Sequence, residues 1–186
     1  MTQIYCDTDT LWNNIERHVH NDEKSARELS ALQRLISDHK AGRCKLVRSR
    51  VALRELDRTK NQEHKNKLRA DYEALEQIPR DERLCGFHTN YDQFGGFITN
   101  PIVSDLQDDN LYKQLLERGF RDKDAQHLTQ AICNNCEVFL TRDERTIVGP
   151  HREWLEKQFS PLKVRLPSEL VTEITERVKE PRSPAT

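Results

Sequence analysis

DAQHLTQAICNNCEVFLTRD, residues 124–143, packs a helix, a stop and a strand into one short run. Ala125, Leu128 and Ile132 recur at helical spacing, which predicts a helix from about Lys123 to Cys133 with those residues inward. Asn134-Asn135 ends it. Glu137-Val138-Phe139-Leu140 then reads as a strand, with Thr141-Arg142-Asp143 at its carboxyl end.

The same alternation extends outward. Gln3-Ile4-Tyr5-Cys6 reads as a buried strand followed at once by Asp7-Thr8-Asp9-Thr10, where Thr10 can cap a helix carrying Leu11, Trp12 and Ile15. Leu29, Leu32, Leu35 and Ile36 predict a helix from about Glu23 to His39, stopped by Gly42. Lys45-Leu46-Val47 is a second strand. Ser49 precedes a helix through Val51, Leu53 and Leu56. Residues 57–67 contain no apolar side chain. Leu68, Tyr72 and Leu75 then restore the spacing, so this region is one long helix or two. Leu84 to Val103 reads as irregular, with at most one short strand. A helix spans Asn110 to Arg118. A last strand covers Leu162 to Leu166, and a short helix carries Leu170, Ile174 and Val178. Strands separated by helices predict an α/β fold, a three-layer α/β/α arrangement on a mainly parallel sheet. The reading is a single domain over 1–180, enlarged at about 57–103, with a disordered tail at 181–186.

The composition sets bounds on function. A net charge of −1 gives no global attraction to nucleic acid or membrane, so such binding needs a local patch. No apolar run approaches a bilayer span and no secretory leader is read, so no membrane partner is expected. Five cysteines, an odd number, fit reduced thiols in the cytoplasm.

Four acids stand out by position. Asp7 follows the first strand, Glu55 lies in the helix after the second, Asp124 opens the helix before the Glu137–Leu140 strand, and Asp143 follows that strand. Sites in parallel sheets form beyond the carboxyl ends of the strands. Carboxylates converging there repel one another unless a hard cation such as Mg²⁺ or Mn²⁺ neutralises them. Each acid also has a plainer reading: Asp7 and Asp9 as helix caps, Asp124 as a helix-dipole partner, Glu55 as a solvated residue, Asp143 as a turn residue.

The segments IYCDTDTLW, SRVALREL and DAQHLTQAICNNCEVFLTRDERTI, in that order, resemble the motifs of PIN domains, and KVRLPSEL resembles the family's closing strand and turn. The resemblance implies a PIN-like fold and a Mg²⁺- or Mn²⁺-dependent endoribonuclease that hydrolyses phosphodiester bonds. It implies metal-binding roles for Asp7, Glu55, Asp124 and Asp143, with Asp9 as an additional ligand, and a supporting hydrogen bond from Thr141. It allows a toxin neutralised by an antitoxin partner, and it implies a homodimer. The alternatives are a non-catalytic RNA-binding scaffold on the same fold, or a structure-specific DNA nuclease.

Other features bear on substrate choice. From Arg43 to Arg69, ten Lys or Arg residues face three acids, a local balance of +7. Arg50, Arg54, Arg58, Lys60, Lys65 and Lys67 are therefore candidate RNA-backbone contacts, against a solvated helix face. Phe87, Tyr91, Phe94 and Phe97 can stack on unpaired bases, but the stronger expectation is core or loop packing. His127 is expected to be partly buried beside the site rather than on substrate. Cys133-Asn-Asn-Cys136 lacks the second pair a zinc site needs. The dimer surface is expected at or near the helix with Leu29, Leu32, Leu35 and Ile36; the stripe of Leu170, Ile174 and Val178 is the other candidate.

Overall fold

The computed structural model describes residues 1–8, 10, 23–58, 60–91, 94 and 96–179; of 64, 67 and 177–179 only the backbone is described. The expected helix with Leu11, Trp12 and Ile15, Asp9 and the tail lie outside these residues, as do the side chains of Lys67 and Val178.

Five strands form one sheet in which every pairing is parallel: β1 (Gln3–Cys6), β2 (Lys45–Arg48), β3 (Glu76–Gln77), β6 (Val138–Leu140) and β7 (Lys163–Arg165), in the order β3-β2-β1-β6-β7. β1 is central because both neighbours match its register, with Ile4 opposite Leu46 and Val138, and Tyr5 opposite Val47 and Phe139. Its residues are buried on both sides, as a strand covered by two helical layers requires. The alternation of side chains divides the core. Ile4, Cys6, Leu46, Val138 and Leu140 face α1 (Glu23–Lys40), α2 (Arg50–Asp57), α3 (Gln62–Glu73) and α7 (Pro167–Lys179). Tyr5, Val47, Phe139 and Val164 face α4 (Asp109–Glu117), α5 (Asp122–Cys133) and α6 (Gly149–Gln158). The chain is thus an α/β protein with helices on both faces of a parallel sheet.

The apolar-free stretch breaks the helix, giving α2 and α3 rather than one long rod. Leu68 and Tyr72 of α3 are fully buried, so that helix is held by its second half. Most of the described apolar residues on the two candidate dimer helices pack inside the chain. Leu32 and Leu35 of α1 and Leu170 of α7 lie in the same core, with Ile36 and Ile174 packed against it. Glu28, buried in α1, accepts hydrogen bonds from the Ser168 backbone N–H (2.9 Å) and hydroxyl (2.5 Å), pinning the two helices together. Burying a leucine contributes about 1.5–3 kcal/mol, so exposing that stripe to a partner would forfeit intramolecular stability.

The middle segment corrects the expectation of irregular chain. β4 (Arg83–Tyr91) and β5 (Phe97–Ser104) form a separate antiparallel hairpin with a bulge between Leu84 and Gly86. Phe87, Tyr91, Phe94 and Phe97 are exposed rather than packed in a core. Helix α6 was not anticipated either. It follows a π-helical turn at Glu144–Val148, and Gly149 is needed at the junction: a Cβ there would sit 2.8 Å from the Glu144 carbonyl oxygen. Among the described residues no helix is long and apolar enough to cross a membrane.

Candidate active site

The strand order starts at β1, runs outward through β2 to β3, then returns to the other side of β1 for β6 and β7. Chain leaving β1 and β6 therefore turns to opposite faces, which opens a crevice at their carboxyl ends. A cavity of about 350 Å³ lies there, lined by Asp7, Thr8, Glu55, Lys123, Asp124, His127 and Asp143. The structure thus brings Asp7, Glu55, Asp124 and Asp143 to one cavity from four elements.

Each acid is fixed by its local fold. Asp7 is buried directly after β1, and its backbone N–H continues the ladder to the Leu140 carbonyl at 3.1 Å. Thr141, fully buried after β6, donates to Asp7 Oδ2 (2.9 Å) and accepts from the Asp143 backbone N–H (3.1 Å). One hydroxyl thereby sets two acids on neighbouring strands. Asp143 caps the π-helical turn: it accepts from the Thr146 N–H at 2.8 Å and from the Thr146 hydroxyl at 2.5 Å, while that hydroxyl also lies 3.4 Å from Asp124 Oδ2.

His127 is buried, not partly exposed, and ties the cavity together. Its Nδ1 meets the Tyr5 hydroxyl at 2.7 Å, and Tyr5 in turn meets Ser49 Oγ at 2.6 Å. Its Nε2 lies 3.0 Å from Thr8 Oγ1, 3.2 Å from Glu55 Oε2 and 3.8 Å from Asp7 Oδ1. Ser49 makes no capping bond to α2; its hydroxyl serves this chain instead. Glu55 is also ion-paired with Lys123.

The electrostatics separate the acids. Burial and then the negative charges of Asp7 and Asp143 push the Asp124 carboxyl up to about 6. Glu55 goes the other way: burial opposes its charge, but His127, Lys123 and Thr8 outweigh it and lower the carboxyl to about 2. Burial likewise opposes a charge on His127, yet the Glu55 hydrogen bond and the fields of Asp7, Glu55 and Asp124 leave its pKa raised. The Asp7–Asp124–Asp143 side thus carries surplus negative charge, whereas Glu55 has its counter-ions in place. Among the described residues no three Asp, Glu, His or Cys side chains form a ready-made metal cage.

The candidate backbone contacts are less free than the charge count implies. Arg50 pairs with Glu82 and Arg54 with Asp105, acids outside the basic stretch. Lys65 lies 2.9 Å from Asp57. Arg58 and Lys60 form no ion pair among the described residues. Arg54, Arg58 and Lys123 line a second cavity of about 350 Å³, which shares Glu55 and Lys123 with the first and reaches Val103 and Ser104 at the root of the hairpin.

Sequence reasoning missed Lys123, Thr8, Thr146 and the Tyr5–Ser49 support. Asp143 was readable as a cap, since an aspartate at the start of a helical turn commonly accepts from the backbone N–H two or three residues on, but its bond to the Thr146 hydroxyl had no signal of its own. Tyr5 looked like an ordinary core residue. Of the five cysteines, none forms a disulfide, and among the described residues neither Cys133 nor Cys136 belongs to a group of three potential metal ligands. Compared with known proteins, the chain matches no family model, no curated protein and no solved structure.

Proposed function

We propose that this chain is a divalent-metal-dependent nuclease on a PIN-like fold that hydrolyses RNA. The observation that carries the reading is the convergence of Asp7, Asp124 and Asp143 on one crevice at the strand ends, with the Asp124 carboxyl raised by its neighbours. Their oxygen donors suit Mg²⁺ or Mn²⁺, and a dication would relieve their repulsion. Asp7, Asp124 and Asp143 would hold the ion, with Glu55 at the opposite wall. When bound, it would lower the pKa of water and offset phosphate charge.

The chain's own groups supply the rest. Thr141 and Thr146 hold the carboxylates in place, and the Tyr5–His127–Glu55 chain stiffens the far wall. Lys123 at the rim can meet a phosphate oxygen. Hydrolysis forms a bond from water oxygen to phosphorus and breaks the P–O3′ bond, the water proton passing to a carboxylate or solvent and the departing O3′ taking a proton from solvent. The products are a 5′-phosphate and a 3′-hydroxyl.

The Lys123–Glu55 pair favours one other reading, a non-catalytic RNA-binding protein whose site is internally neutralised. Matched RNA and DNA oligonucleotides, incubated with Mn²⁺ or with EDTA, separate the two. The proposal expects RNA cleavage with Mn²⁺ only, abolished in Asp143→Asn. RNA bound but uncut in Mn²⁺, or cutting undiminished in Asp143→Asn, overturns it; cutting of DNA alone reassigns the substrate.

A further inference from the structure

From the geometry of the β4–β5 hairpin we infer that it is a single-stranded RNA-binding arm continuous with the cleavage crevice, its aromatic face stacking on unpaired bases. This rests on the nuclease reading above and specifies its substrate class. Pairing of Tyr91 with Phe97 and of Phe87 with Pro101 puts these side chains on one face of the ribbon. After the bulge, Leu84 and Val103 join it. Phe87, Tyr91 and Phe97 are 62%, 73% and 72% exposed, and the last two rings lie 5.0 Å apart. Exposed aromatics on a sheet face serve as platforms for bases in RNA-binding domains.

Three observations point to RNA as the occupant. The first is continuity: the root of the hairpin, at Val103 and Ser104, lines the second cavity, which shares Glu55 and Lys123 with the first. The second is charge. Arg58 stands along that path with no ion pair among the described residues, Arg54 and Lys123 stand there paired with Asp105 and Glu55, and from Leu84 to Val103 the sequence holds a single acid, Asp92. A polyanion leaving the crevice meets Arg58 and then a face with little to repel it. The third is area. A ribbon of eight paired residues is ~27 Å long and roughly 10 Å wide, a face of about 270 Å². Stable protein interfaces take about 800 Å² from each partner. The face is too small for a lone protein interface and sufficient for two or three stacked bases. Thr89 and Thr99, paired between the rings, add hydrogen-bonding groups suited to base edges.

The test uses the full chain in EDTA, with fluorescence anisotropy of a ~10-nucleotide unstructured RNA and of the same sequence as a duplex. Phe87→Leu, Tyr91→Leu and Phe97→Leu combined keep the face apolar but remove the π-surfaces. Affinity for the unstructured RNA should fall about tenfold or more, with an unchanged salt slope and unchanged duplex binding. Phe87→Trp should bind at least as tightly as the parent. Circular dichroism checks that each variant folds. Equal affinity of the triple variant and the parent overturns the inference, and if the parent still cuts RNA with Mn²⁺ the nuclease reading survives. A parent that neither binds nor cuts RNA removes both. Sedimentation of the parent as a dimer, converted to monomer by serine at the three positions, would assign the face to a second copy and also overturn it.

Discussion

Replacing Asp124 by asparagine should make the metal-free protein more stable and the metal-loaded protein less responsive. The carboxyl titrates at about 6 in the fold rather than at its ordinary 3.8, first because of burial, then because Asp7 and Asp143 face it. An acid whose pKa rises on folding keeps its proton longer in the folded state. Its ionisation therefore costs stability as pH climbs from about 4 to about 6, and the cost is complete above that window. Two pH units correspond to roughly 3 kcal/mol. Asp124 is only partly buried, so solvent screening reduces this to about 1.5 kcal/mol. For a chain of this size that is about 3–6 °C in Tm. Thermal unfolding in EDTA at pH 7.5 should show Asp124→Asn above the parent by that margin, with the gap roughly halved at pH 5. Adding Mn²⁺ should reverse the order. A ligand at a hundred times its Kd adds about 2.7 kcal/mol, and the variant has lost one of the carboxylates that would hold it. A variant no more stable than the parent at pH 7.5 in EDTA would refute the repulsion. An equal Mn²⁺ gain in both proteins would refute the role of Asp124 as a ligand.

Thr141→Val leaves the Asp7 carboxylate and the Asp143 N–H without their shared partner, which should cost about 1–3 kcal/mol and weaken Mn²⁺ binding by roughly 10–100-fold. Thr141→Ser should restore most of both in calorimetric titration; a valine variant that binds Mn²⁺ normally rules out the positioning role. Gly149→Ala drives a Cβ into the Glu144 carbonyl oxygen, so the π-helical turn carrying Thr146 must shift. The expected loss is about 1–3 kcal/mol in urea unfolding, together with weaker Mn²⁺ binding, and unaltered metal affinity would separate the turn from the site. Arg58→Gln with Lys60→Gln should lower the slope of log affinity for RNA against log salt by up to about 2; an unchanged slope makes both residues a solvated surface.

The parallel sheet was legible because its strands are buried on both faces. Ile4-Tyr5-Cys6 and Val138-Phe139-Leu140 therefore read as short continuous apolar runs, and the acids after them mark the strand ends. β3 was not legible: Glu76 and Gln77 are both exposed, and they form a strand only by pairing with Val47 and Arg48. The hairpin was missed for a related reason. The Phe87–Pro101 and Tyr91–Phe97 pairs lie on an open face, so no buried–exposed alternation marks its strands. The aromatics were expected inside on their usual burial, which their position on a two-stranded ribbon overrides. His127 was placed beside the site, but its full burial depended on Tyr5 and Thr8, residues more than a hundred positions away.

The basic stretch shows how a one-dimensional charge count misleads. Within residues 43–69 the surplus is +7. Folding brings Asp38 to Arg43, Glu76 to Lys45, Glu82 to Arg50, Asp105 to Arg54 and Glu73 to Arg69, none of them inside the window. Most of the surplus is therefore spent as surface ion pairs, each worth little to stability. What survives among the described residues is local: Arg58 and Lys60, whereas Lys123, which the count omitted because it lies in α5, is itself paired with Glu55. The field that a phosphate backbone would feel near the crevice is set by a few residues such as Arg58, which lines the adjoining cavity, and not by the length of the basic run.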